Sequence, residues 1–172
     1  EVFPLTKLFS HIINRIRRNH GLEHATLHVL AQIKPETSIA GQSDYFGFWI
    51  VGDVSQAEVF QSAQEALRRL QSGEGNLAVH PNCGTNLVAS LLLGSLAVFA
   101  VLSGGKKNKR PKLERLPLAI ALASLTMPIG RSLGAWLQTH VTTSSDVADL
   151  SIIDVIPVRR GWLQAQRVQT RG

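Results

Sequence analysis

The sequence predicts an α+β protein: a small mixed head, helices plus a short sheet, attached to a two-helix transmembrane hairpin. Three observations lead there. Residues 85–103 and 117–130 carry no charged side chain. Between them, residues 104–116 hold Lys106, Lys107, Lys109, Arg110, Lys112 and Arg115 against Glu114 alone. The rest of the chain alternates helical and extended periodicity. Two uncharged runs around a short basic loop are the pattern of a membrane hairpin. An even number of spans returns the C-terminal tail to the side of the head.

The elements follow in order. Residues 1–18 predict an amphipathic helix, with Leu5, Leu8, Phe9, Ile12, Ile13 and Ile16 spaced by 3, 4 and 7. Lys7, Asn14, Arg15, Arg17 and Arg18 occupy its other face. Such a helix either lies on a membrane surface with its arginines near phosphates or packs on the head's own core, and the sequence does not choose. Residues 19–84 form the head. A helix runs from about His20 to Gln32 and ends before Pro35. Extended structure follows to residue 54, turning near Gly41, Asp44 and Gly47, with a strand near 46–52. Ser55 and Glu58 make a capping box for a helix to Gln71 whose apolar face is read as Ala57, Phe60, Ala63, Leu67 and Leu70. A second strand is expected at 76–79. Residues 85–138 make the hairpin, its second span bent near Pro128 and Gly130. In the tail, residues 139–172, a strand from Asp149 to Arg159 is expected to join the other two in one sheet.

Charge and cysteine content narrow the function classes. Residues 1–84 are near neutral, with 7 basic and 8 acidic side chains, and the basic run sits between apolar segments, so nucleic acid is not an expected partner. The bilayer is, together with other membrane subunits. The loop 104–116 is expected on the cytoplasmic or stromal side of a bacterial plasma membrane or thylakoid-type membrane, as would suit a cyanobacterial or plastid protein. The one cysteine, Cys83, rules out an intrachain disulfide. The opening Glu1-Val2-Phe3-Pro4 lacks the basic-then-apolar order of a secretory leader.

The residues suited to chemistry fall into two clusters. His20 and His24 are four apart on a helix, so their imidazoles project from one face and can share a metal ion. Glu23, between them, is the candidate catalytic base for a metal-bound water. His28 extends the face by a turn, as a further ligand, a support or a bystander. His80 and Cys83, three apart on a Pro-and-Gly turn, are a second workable ligand pair. His20, His24, His80 and Cys83 together suit zinc, which takes imidazole and thiolate in tetrahedral sets. Arg131, inside the second span, either snorkels or faces a site. Trp136 reads as an interfacial anchor.

His20-Gly21-Leu22-Glu23-His24, His80-Pro81-Asn82-Cys83-Gly84-Thr85 and Gly134 to Gln138 with Thr142-Thr143 occur in that order. Together they resemble the motif set of the YqhQ-like family of bacterial membrane proteins. The resemblance implies metal dependence and a membrane location, and no reaction. The chain departs from it in having Ala25 and Thr26 where a basic residue often follows, and in lacking additional membrane helices. Two functions are therefore expected: a membrane-embedded zinc-dependent hydrolase acting on protein or lipid, or a non-catalytic subunit or assembly factor with a structural metal site. A third, in which one histidine ligates haem or chlorophyll magnesium, has no motif of its own.

Overall fold

In a computed structural model, residues 4–103, 112–147, 149–160 and 163–172 are described. Their order is α1 (Pro4–Ile33), β1 (Ala40–Asp44), β2 (Gly47–Val51), α2 (Gln56–Gln71), α3 (Gly84–Ser103), α4 (Leu116–Leu137), β3 (Ser151–Arg160) and β4 (Leu163–Arg171). The architecture is mixed α+β. The chain divides into two compact units. The head is Glu1–His80 with Thr139–Gly172, and the second unit is Pro81–Gln138.

The head carries an antiparallel sheet in the order β1-β2-β4-β3. Alternate residues of the strands enter the core: Phe48 and Ile50 from β2, Val155 from β3 and Val168 from β4, all essentially inaccessible. They join Leu22, Ala25 and Leu30 of α1 and Val59, Ala63, Ala66 and Leu70 of α2 in one apolar cluster. Each large side chain removed from water in this way contributes about 1.5–3 kcal/mol. The capping box of α2 forms as its sequence predicts, with Ser55 Oγ accepting from the Glu58 N–H and the Glu58 carboxylate accepting from the Ser55 N–H. The buried face of that helix is Val59, Ser62, Ala63, Ala66 and Leu70, so Ala57 and Phe60 are exposed, contrary to expectation. Small alanines allow α2 to lie close, and the larger Phe60 is turned out.

Three further expectations change. Residues 75–78 form a 3-10 turn instead of a strand. The tail makes a strand from Ser151 and then a second, β4, that the sequence reading did not assign; β4 separates β3 from β2. The two helical stretches before Pro35 are one unbroken helix, α1. A buried polar knot ties α1 to the sheet. Asn19 Nδ2 donates to the carbonyls of Asp44 and Tyr45 at 2.8 and 3.0 Å, and its Oδ1 accepts from Thr170 at 2.7 Å. Arg15 donates to Thr170 and to the Gly172 carbonyl. Burial holds the Arg15 pKa below its ordinary value.

The second unit is the antiparallel pair α3 and α4. Both are long and apolar enough to cross a membrane, and only 17% and 11% of their apolar windows are buried. Their contact is made by small and polar residues. A Cβ added at Gly130 would strike Ser90, and one at Gly134 would strike Asn86, so the glycines four apart let the backbones approach. Gln138 Nε2 donates to Asn86 Oδ1 at 2.7 Å, and Ser90 Oγ donates to the Asn86 carbonyl at 2.8 Å. The helix α4 continues through Pro128 without a break, and Arg131 is exposed. Of the basic loop, residues 104–111 lie outside the described residues, and Lys112–Arg115 form a 3-10 turn.

Candidate metal centre

Continuity of α1 places His20, His24 and His28 along one side of a single helix. Gly21 lies within it because the tail passes against this turn: a Cβ there would run into the Ser144 carbonyl oxygen. The tail is fixed by the Ser144 N–H donating to the Arg17 carbonyl at 2.9 Å. Arg17 Nη2 donates to the carbonyls of His140 and Thr143, Arg18 Nε donates to that of Asp146, and Arg18 pairs with Asp149. These arginines, which a membrane-surface helix would have turned toward phosphates, hold the tail to the head. The result brings the Thr142 carbonyl to His20.

His20 Nδ1 lies 2.9 Å from the Thr142 oxygen, and His24 Nδ1 lies 2.8 Å from the Ala78 oxygen. A carbonyl only accepts, so each Nδ1 carries a proton, and in the neutral ring the lone pair is then on Nε2. Second partners of this kind are what orient metal-ligating histidines. The Ala78 carbonyl comes from the 3-10 turn, and the next residues, Val79 and His80, extend from it. His28 Nε2 faces the Val79 carbonyl at 2.9 Å, which puts its lone pair on Nδ1. The rings gather: His20–His24 centroids are 4.4 Å apart, His24–His80 5.7 Å and His28–His80 4.9 Å. With Zn–N bonds of about 2.0–2.1 Å, two imidazoles on one tetrahedral ion have centroids about 5 Å apart. Burial first, and His28 second, hold the His80 pKa below the usual imidazole value, which favours the neutral form a metal needs.

His20, His24 and His80 thus come together within the head. Glu23 is also buried there, 3% exposed, with its carboxylate against Gly41 of β1, where a Cβ would meet it. Cys83 belongs to the second unit, in the turn before α3. It is buried, its Sγ accepts from the Thr85 N–H at 3.4 Å and its carbonyl from the Asn86 N–H at 3.0 Å. The sequence reading missed the two backbone carbonyls that set the tautomers, and the hydrogen bond between Asn86 and Gln138, the last residue of the Gly134 to Gln138 stretch. A glycine inside a helical motif, Gly21, was the available sign of a close approach.

A two-unit α+β chain with a clustered set of oriented imidazoles is the class defined so far. The chain belongs to the DUF6391 family, a domain of unknown function, whose model matches residues 15–155. That range holds both histidine motifs and both long apolar helices. The chain is also 35% identical over 140 residues to an uncharacterised protein of the cyanobacterium Picosynechococcus sp.. That match covers 75% of this chain and 66%, just under two thirds, of the relative's length. No solved structure matches. A family of unknown function with a bacterial relative is therefore shown; the YqhQ-like name and metal dependence rest on the motif resemblance alone.

Proposed function

We propose that this chain is an integral membrane protein, anchored by α3 and α4 as a hairpin, whose head holds a metal ion, preferably zinc, as a structural brace in a larger membrane complex. The observation that carries the metal reading is the pair of fixed tautomers on His20 and His24, with the neutral-leaning His80 ring beside His24. His20 and His24 would hold the ion, with His80 beside His24 as a further candidate ligand; Cys83, the remaining ligand expected from the sequence, lies in the second unit. Membrane insertion is supported by the inverted sorting of the hairpin: Leu91, Leu92, Leu96, Phe99, Ile120 and Leu125 are exposed, while Asn86, Ser90 and Gln138 are buried.

Bound zinc supplies either a rigid crosslink or, with an open position, Lewis-acid activation of water. The brace is favoured because Glu23 is packed on the backbone of β1 at Gly41, which suits a positioning role better than a base that must meet water and substrate. The order His-x-x-Glu-His keeps the hydrolase reading, on protein or lipid, as the alternative.

Elemental analysis of the full chain, purified without chelator, is the test. A single zinc ion per chain, lost in His24→Ala, is expected. Absence of metal both as purified and after titration with zinc would sink the proposal. Glu23→Gln separates the two versions: in a hydrolase it keeps the metal and abolishes turnover, and in a brace it lowers stability with no activity to lose.

A further inference from the structure

The amphipathic start of α1 divides into two parts. Residues 15–18 are part of the head, but residues 6–14 project beyond it. Leu8, Phe9 and Ile13 are 56%, 66% and 40% exposed, and the concavity along this stretch is lined by α1 residues alone. On the polar side His11 meets Tyr45 of the β1–β2 turn, ring centroids 6.4 Å apart. The helix is thus held to the head by its polar side, which leaves the apolar side facing away. The same turn exposes Phe46, 69% accessible.

At about 100° per residue, Leu5, Leu8, Phe9, Ile12, Ile13 and Ile16 fall within an arc of roughly 140°. Thr6, Lys7, Ser10, His11 and Asn14 fill the remainder. A coiled coil with a second copy would use a narrow seam kept over several heptads; this arc is broad and lasts about three turns. Within residues 5–14 the charged side chain is Lys7, and there is no acidic one, so the charge of this stretch complements anionic headgroups.

We propose that the N-terminal part of α1, residues 5–14, is an interfacial helix that seats Leu8, Phe9 and Ile13 among the acyl chains of an anionic lipid surface. This rests on the membrane reading above. The test uses the full chain reconstituted in phosphatidylcholine–phosphatidylglycerol vesicles, with photoreactive benzoylphenylalanine replacing Phe9, Asn14 or Leu96 in turn. Position 9 should form lipid adducts several-fold more than position 14, and position 96 should form them too. Lipid adducts at 96, with position 9 crosslinking to protein or matching position 14, would overturn the interfacial helix and leave the hairpin standing. No lipid adducts at 96 would overturn the hairpin, and none at 9 as well would remove both.

Discussion

Inside the head the large inaccessible side chains include Leu22, Leu30, Phe48, Ile50, Val59 and Val168, and among the polar ones Asn19 is knotted to Asp44, Tyr45 and Thr170. Inside the second unit the buried residues of the described helices are Asn86, Ala89, Ser90, Ala119, Gly130, Gly134 and Gln138, joined by Cys83 in the turn before α3, and most large apolar side chains lie outside. One chain therefore sorts its residues by opposite rules. In water, association comes from removing apolar surface. Between apolar helices in lipid that drive is absent, and close backbone approach and side-chain hydrogen bonds take its place. The head follows the first rule, and on the proposal that α3 and α4 cross a membrane the hairpin follows the second.

Truncation should break this contrast most visibly. Phe48→Ala should destabilise the head by about 3–5 kcal/mol and Leu22→Ala by about 2–5 kcal/mol, read from denaturant unfolding of the full chain in micelles. Leu96→Ala, at a position 62% exposed, should leave both units unchanged; a cost like that of Leu22→Ala would mean the hairpin buries leucine after all.

Enlargement should act in reverse. Gly134→Leu would drive a side chain into Asn86 and should cost about 1–3 kcal/mol, seen as separation of α3 from α4 by fluorescence transfer between labels on the two helices. A variant whose helices stay paired would show that the glycine is not the contact.

A smaller effect attaches to the Asn86–Gln138 bond. A double-mutant cycle with Asn86→Ala and Gln138→Ala should give a coupling of about 0.6 kcal/mol, near the mean for hydrogen bonds between membrane helices. Zero coupling would reduce the pair to packing.

The smallest effect is that of pH. Backbone and side-chain hydrogen bonds from Ser55, then Lys34 at 3.1 Å, lower the Glu58 pKa from 4.5 to about 2. Because the folded value is depressed, the contribution of this cap is complete above the unfolded value of 4.5 and is lost as pH falls toward about 2. Glu58→Gln should flatten that part of the stability profile. From Gly84 to Ser103 there is no titratable side chain, so helicity of α3 should not change over the same range.

Much of this contrast is legible in the residues. Charge-free runs and the capping box at Ser55 depend on local chemistry, and they appear where their sequences predict. The strand β4 was not legible because Leu163–Arg171 is rich in Gln and Arg. It lies mid-sheet with three of its polar side chains bound to distant groups: Gln166 to the Val54 carbonyl, Arg167 to the Asp44 carboxylate and the Trp49 ring, Thr170 to the Asn19 amide. Residues 76–79 offered only Leu77-Ala78-Val79, too short a run to tell a strand from a turn. At the site, the four-residue spacing of His20 and His24 was readable. The carbonyls that orient them were not, since Thr142 arrives from the far side of the hairpin.

The sheet order β1-β2-β4-β3 puts the last-made strand beside β2, and the hairpin is encoded between the two. A ribosome completes α1, α2 and the β1–β2 hairpin while Asn19 and Arg15 still lack Thr170 and Phe48 still lacks Val168. The head can close only after α3 and α4 have emerged and the tail has followed them. Synthesis thus has a built-in order: the apolar helices are made before the histidine-bearing head is complete, when the Thr142 carbonyl reaches His20.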